Sequence, residues 1–448
     1  MEVEISIVEE DVGTNNSIEE EVKKDEGGAF KEEMLEDEID SLNKEDIWRS
    51  RRERINNASA AARNAEKQDP AEVNAAAQRL GFIIIKADVE EFISAIESLA
   101  MKINPSAIFN CLNAEGNSLL HFAAFNGKDD ILRLLLDYVP DHLIAAQNDW
   151  GDTSLHMAIG AKRSTAAEML IRRARDLPNI EGKNQILRMK NKHGNTALHE
   201  AVLNGHVKGV RDLLNEDLEP VYWMNEYQTS PLYLAVDSKD PEIQEVLFSL
   251  ALEPSRIQGL PPIHGAILQE RYDLVDLILE KNMKLFEMTN SRGGNILHLA
   301  AYMNAAQVFK YLGLETVYLV QQRDRNGDLP IHIASKMGYV EQIEKLLPVS
   351  CLLNGQGPTV LHVAAKYGRT SAVRYVLNHK KLGMAINDAD NAGNTPSHLA
   401  AMYSQPAALI PLVMDERIIP GHINRKCLTP FDIARDRLRR EPTLRNHC

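Results

Sequence analysis

A short phrase with histidine near its centre recurs ten times along this 448-residue chain, and it restricts the fold more tightly than anything else in the sequence. It reads GNSLLHFAA around His121, GDTSLHMAI around His156, GNTALHEAV around His199 and QTSPLYLAV around Tyr233. It returns as GLPPIHGAI at His264, GNILHLAA at His298, GDLPIHIAS at His332, GPTVLHVAA at His362, GNTPSHLAA at His398 and CLTPFDIAR at Asp432. Several consecutive centres lie 34 residues apart: His199 to Tyr233, His264 to His298, His298 to His332 and His398 to Asp432. A period of this length builds one supersecondary unit per copy, and each unit buries its apolar face only against the next.

The residues inside each copy make sense as helix chemistry. Ser118, Thr153, Thr196, Ser230, Asn295, Thr359, Thr395 and Thr429 stand where an N-cap belongs, with a side-chain oxygen to accept from unpaired N–H groups. Pro231, Pro262, Pro330, Pro396 and Pro430 follow at the first helical position, where a missing donor costs nothing. Glycine before the cap, as at Gly151 and Gly194, suits a turn with positive φ. Alanine comes two residues after the centre in all ten copies, from Ala123 to Ala434, as close packing of helix on helix requires. Apolar stripes such as Leu134-Leu135-Leu136, Met169-Leu170-Ile171 and Ile278-Leu279 mark a second helix.

A T-P-L-H-x-A phrase at this period is the ankyrin signature, and the chain is identified as a member of the ankyrin repeat family. The fold expected is all-α: an ankyrin repeat solenoid of about ten helix–turn–helix repeats plus a degenerate N-terminal cap, preceded by a disordered acidic tail. The boundaries expected are an acidic tail at 1–46, a polar linker or helix at 47–70, the solenoid at 71–438 with 71–102 as its cap, and a C-terminal tail at 439–448. Three later stretches, DRNGDLPIHIASKMGYVEQIEKLL (324–347), VLHVAAKYGRTSAVRYVL (360–377) and INDADNAGNTPSHLAAM (386–402), resemble plant ankyrin proteins of the accelerated-cell-death type. That resemblance implies defence and salicylate-linked cell-death signalling. It also implies a location at the cytosolic face of the plasma or endoplasmic-reticulum membrane, through transmembrane helices after the repeats. Here the residues after Ala434 are polar and arginine-rich. The chain as written therefore reads as cytoplasmic, with membrane association only through a missing C-terminal domain or a partner.

Charge and cysteine exclude further classes. The net charge is −14, and eighteen acids with four lysines fall in residues 1–46, leaving 46 acidic and 46 basic residues for the remainder. A repeat array that is neutral on average lacks the basic stripe a duplex would need, so no nucleic-acid partner is expected. The basic clusters Arg49-Arg51-Arg52-Arg54 and Arg435-Arg437-Arg439-Arg440 read as solvated helix faces. Four scattered cysteines give no disulfide framework and fit a reducing compartment.

No metalloprotease, nucleophile-elbow, phosphate-loop or dinucleotide motif is present, so neither catalysis, cofactor nor small-molecule substrate is expected. Equivalent histidines one repeat apart are separated by about 8–10 Å, while zinc ligands converge at about 2 Å. The repeated histidines therefore read as structural, each bridging neighbouring turns, and Tyr233 and Asp432 as tolerated replacements. Protein partners are expected at two places. Turn tips project Trp150, Tyr227, Arg292, Arg325 and Lys426; the residues after the alanine pair, Phe125, Tyr302, Met303, Tyr367 and Tyr403, line the concave side. Tryptophan, tyrosine and arginine are the types that dominate interface energetics. In the tail, Ile5, Ile7 and Val8 followed by acids form a candidate strand for capture by a ubiquitin-like modifier. Phe30, Met34, Leu35, Ile39 and Leu42 recur at helical spacing, as in acidic segments of nuclear co-regulators that fold on a partner. A longer-than-period step between His156 and His199 places an inserted loop near 174–187.

Overall fold

The structure, a computed structural model, describes residues 26–62, 69–176, 185–347 and 357–440, with side chains from residue 44 onward. Two compact units emerge: Met1–Ala65 with Ile93–Pro105, and Glu66–Phe92 with Ser106–Cys448.

In the first unit a helix spans Glu26–Ala61. It reaches back into the stretch 1–46 that composition alone reads as a tail. Its glutamates, lysines, Met34, Leu35 and Leu42 are good helix formers uninterrupted by proline, which explains the difference. Residues 1–25, with Ile5, Ile7 and Val8, lie outside the described residues. Trp48, Ile55, Ala58 and Ala62 are buried along one stripe, as are Ile93, Ile96, Ala100 and Ile103, each set at steps of three, four and seven. Arg54 grips Glu97 with two prongs, Nε to Oε1 and Nη2 to Oε2, both at 2.7 Å. The bond to Arg54 holds the Glu97 carboxyl below the usual range. The first basic cluster is satisfied locally: Arg49 pairs with Asp46 at 3.2 Å, Arg52 with Glu45 at 3.6 Å, and Arg51 lies 4.7 Å from the Trp48 ring centre.

The second unit opens with helix Pro70–Lys86, capped by Asp69, whose Oδ1 accepts from Ala71 N–H at 3.0 Å. It packs on the first helix of the first repeat, Leu119–Asn126. Equivalent first helices follow at Ser154–Gly160, Ala197–Leu203, Pro231–Asp237, Pro262–Leu268, Ile296–Met303, Pro330–Met337, Val360–Lys366, Pro396–Met402 and Pro430–Arg440. Each packs on the next. The ten alanines explain how: Ala123, Ala158, Ala201, Ala235, Ala266, Ala300, Ala334, Ala364 and Ala400 are fully buried, and only Ala434 in the last copy is partly open. The expected N-caps and first-position prolines stand where the sequence puts them.

A second file of helices lies beside the first: Asp129–Tyr138, Ser164–Asp176, Val207–Glu216, Pro241–Phe248, Tyr272–Lys281, Val340–Leu346, Thr370–Asn378 and Pro406–Met414. One member departs from the expected helix pair. After Ile296–Met303 the chain forms only short 3-10 turns, Ala306–Tyr311 and Val317–Gln321. The cause is local: Thr316 Oγ1 donates to the Tyr311 carbonyl and accepts from Gly313 N–H, both at 2.9 Å. A side chain that takes backbone partners in this way competes with the helix. The inserted loop near 174–187 lies outside the described residues over 177–184.

Candidate functional site

The turn before each first helix is built by one side chain. In nine copies an Asn or Asp stands eight residues ahead of the centre, and in the eight of these among the described residues, Asn113 and Asn290 included, its Oδ1 accepts two backbone N–H groups across the turn. Asn148 accepts from Trp150 and Asp152, both at 2.9 Å; Asn225 accepts from Tyr227 at 3.0 Å and Thr229 at 3.1 Å. Asn191, Asp324, Asp390 and Asn424 do the same in their own copies. The amide end of several of these asparagines reaches back to the preceding repeat, Asn148 to Asn117 at 2.9 Å and Asn225 to Asn195 at 2.8 Å. Sequence reasoning missed these residues, although the fixed offset from histidine was a readable signal.

Backbone bonds then tie tip to tip. Asp149 N–H donates to the Glu115 carbonyl, Lys192 to Trp150, Glu226 to His193, Leu260 to Gln228, Arg325 to Arg292 and Arg425 to Ala392, all at 2.8–3.1 Å. Glycine is needed at these points: Gly194 has φ +74°, and a Cβ there would stand 2.7 Å from Glu226 N.

The repeated imidazoles hold the turns from behind. In five copies Nε2 faces a carbonyl of the following repeat: His121 to Asp152, His156 to Asn195 and His298 to Asp328 at 3.0 Å, His362 to Asn394 at 2.8 Å, His398 to Leu428 at 2.9 Å. Nε2 therefore carries the proton, and Nδ1 accepts from the N-cap backbone, as from Thr359 N–H at 3.0 Å. With both nitrogens engaged, these rings have no lone pair for a metal. In the remaining three copies the Nε2 of His199, His264 and His332 has no hydrogen-bond partner. Burial pushes all three imidazoles down to about 4. Asp432 copies half of the device: its Oδ2 accepts from Thr429 N–H at 3.1 Å and Thr429 Oγ1 at 2.7 Å. Tyr233 N–H is capped by Ser230 Oγ at 3.3 Å, while its phenol is half-buried with its pKa raised by burial.

The surface residues fall into two rows. Trp150, 64% exposed, and Tyr227, 67% exposed, project from turn tips, and Tyr227 stacks on His193 with ring centres 6.4 Å apart. Arg292, Arg325 and Lys426 are exposed in the same row. Phe125, Tyr302, Tyr367 and Tyr403 are exposed at the C-terminal ends of first helices, with Met303 half-buried. Part of this second row links three successive repeats: Lys336 Nζ lies 4.9 Å from the Tyr367 ring centre, and Lys366 Nζ lies 5.5 Å from Tyr367 and 5.0 Å from Tyr403. Further back, a groove lined by Leu203, Gly205, Leu234, Asp237 and Pro241 separates two successive helix ends. Among the described residues no helix is long and apolar enough to cross a membrane.

Family models agree with this architecture. Ankyrin repeats (3 copies) match residues 85–181, 263–351 and 331–424, and a single ankyrin repeat matches 193–220. Together these cover more than half of the chain, and the chain belongs to the ankyrin repeat family. Among curated proteins it is 28% identical over 315 residues to Protein ACCELERATED CELL DEATH 6 of Arabidopsis thaliana, covering 64% of this chain and 46% of the relative. It is 27% identical over 215 residues to the chicken (Gallus gallus) nuclear factor NF-kappa-B p105 subunit, covering 47% of this chain and 21% of that protein. It is 23% identical over 298 residues to the human transient receptor potential cation channel subfamily A member 1, covering 63% and 26% respectively. The chain thus spans between about a fifth and a half of the length of these relatives.

Proposed function

We propose that this ankyrin-repeat chain is a non-enzymatic scaffold whose turn tips and first-helix ends hold a protein ligand, working in plant cell-death and defence signalling. The observation that carries the reading is the mounting of Trp150 and Tyr227. Each aromatic is largely exposed, yet its backbone is pinned by an asparagine in its own turn. Trp150 is pinned further by the next repeat, whose Lys192 N–H donates to its carbonyl at 2.9 Å. Large aromatic anchors on a rigid support lose little entropy when they dock. The signalling role draws on the likeness to Protein ACCELERATED CELL DEATH 6, which this chain matches over 64% of its own length.

Proximity labelling with the intact chain, compared with the Trp150→Ala/Tyr227→Ala variant, tests the reading. Loss of a discrete set of labelled proteins in the variant supports it. Identical labelled sets, with both proteins folded to the same extent, reject it.

A further inference from the structure

The second-helix file obeys a rule that its last member breaks. Counted from the first residue of each helix, the fifth position is charged in seven of the eight: Arg133, Glu168, Arg211, Glu245, Asp276, Glu344 and Arg374. The second position is polar or charged in the same seven, and so is the ninth in those of them where it falls among the described residues. Ser371 and Asn378 hold these two places in Thr370–Asn378. In Pro406–Met414 the three positions are Ala407, Ile410 and Met414, and no residue of that helix is polar. Steps of three and four put them on one side. Ile410 is 61% and Met414 77% exposed. Val413 adjoins them at the eighth position, 68% exposed, where its seven counterparts, Leu377 at 5% among them, are at most 8% exposed. A helix that is apolar all round belongs in an interior, and this one has none on that side among the described residues.

We infer that this exposed side of Pro406–Met414 is the docking site for an acidic amphipathic helix of a partner protein. The inference goes beyond the reading of the tips and does not draw on it. Ala407, Ile410 and Met414, with Val413 beside them, form a stripe one helix wide and about two turns long, the pattern by which helix seats on helix. Its surround is cationic. Thr370–Asn378 packs on Pro406–Met414 and exposes Arg374 at the matching position, and Lys380 and Lys381 follow it, both exposed. From Arg369 to Arg440 the chain holds eleven lysines and arginines against six acids. Three of those acids, Asp415, Asp432 and Asp436, already pair with Arg417, Arg435 and Arg440. Carboxylates flanking an apolar stripe therefore meet complementary charge. A second copy of this chain, packed stripe to stripe, would instead bring Arg374, Lys380 and Lys381 against their duplicates. A bilayer would gain little from so few side chains, since even a myristoyl chain alone holds a membrane only marginally.

The test uses the full chain and a fluorescein-labelled helical peptide of about eighteen residues, with leucine at every third or fourth position and glutamate elsewhere. Fluorescence anisotropy should show saturable binding that weakens as sodium chloride is raised from about 50 to 300 mM. Ile410→Arg/Met414→Asn gives this helix the residues that its neighbour carries at the same positions, Arg374 and Asn378. It should weaken binding at least about tenfold without lowering the melting temperature. Capture by charge alone would instead tighten, because the variant adds a cation. Lys380→Glu/Lys381→Glu should weaken binding too, and Trp150→Ala/Tyr227→Ala should leave it unchanged. Undiminished affinity of the Ile410→Arg/Met414→Asn variant, loss of binding in the tip variant, or equal binding of a peptide with lysine for every glutamate would overturn the proposal. So would a silent peptide. Dimers that the Ile410→Arg/Met414→Asn variant abolishes would then assign the face to a second copy. Binding to phosphatidylcholine vesicles with about 30% phosphatidylserine, lost in the same variant, would assign it to lipid.

Discussion

His362 Nε2 lies 2.8 Å from the carbonyl oxygen of Asn394, thirty-two residues further along the chain. One ring thereby joins two repeats, because its Nδ1 accepts from Thr359 N–H at 3.0 Å in its own turn. His332 keeps the bond within its own turn, from Leu329 N–H to Nδ1 at 3.1 Å, but its Nε2 is unpartnered.

That contrast predicts unequal costs. His362→Ala strands a buried N–H and a carbonyl, and should lower stability by about 2–4 kcal/mol. His332 lacks both the bridge to the next repeat and the bond that Thr359 Oγ1 makes with His362 Nδ1 at 2.8 Å, so His332→Ala should cost at least about 1 kcal/mol less. Urea unfolding of both variants measures the difference, and equal losses would contradict the bridging role.

Acid sensitivity follows from the buried rings. The imidazoles of His199, His264 and His332 sit at about 4 in the fold because burial disfavours their charged form. An unfolded histidine titrates near 6.5. Between these values the unfolded chain binds more protons than the folded one, so stability is full above about pH 6.5 and declines as pH falls toward 4. Each such ring contributes a slope of up to about 1.4 kcal/mol per pH unit in that window. Melting temperatures at pH 7.5 and pH 5.0 check this; a flat profile would show that these rings are not buried neutral.

Glycines in the turns should separate by their neighbours. A Cβ at Gly194 would stand 2.7 Å from Glu226 N, while at Gly327 it would meet nothing within 4 Å; both residues have positive φ, +74° and +84°. Gly327→Ala should cost about 1 kcal/mol from backbone strain alone. Gly194→Ala should cost clearly more, because it forces two repeats apart. Calorimetry on the pair decides it.

Trp150→Ala and Tyr227→Ala remove exposed side chains and should each change stability by less than about 0.5 kcal/mol. Partner affinity should fall together with them, by about 1 kcal/mol or more for an anchoring residue. A loss of melting temperature matching the loss of binding would mean that the rings serve the fold instead.

Much of this was readable beforehand. The histidine phrase, the N-caps, the prolines and the buried alanines all obey short-range rules, and the structure places them as expected from Ser118 to Pro430. Asn148 and its counterparts escaped notice because their work is to fold a turn, which leaves no apolar period to detect. The 3-10 turns at Ala306–Tyr311 escaped for a different reason. Ala306, Val308, Phe309 and Tyr311 read as an ordinary second helix, and what overrides them is the Thr316 hydroxyl bonded to the Tyr311 carbonyl. Helix Glu26–Ala61 shows the opposite case, where local propensity prevails over an acidic composition that suggests a tail.

In a linear array each unit borrows its rigidity from the two beside it. The first-helix file continues through Ile296–Met303, whereas its companion there is a pair of short turns. Under load, compliance should gather at this step between the Tyr272–Lys281 and Val340–Leu346 helices. A stretched molecule would therefore yield from its middle before its ends fray.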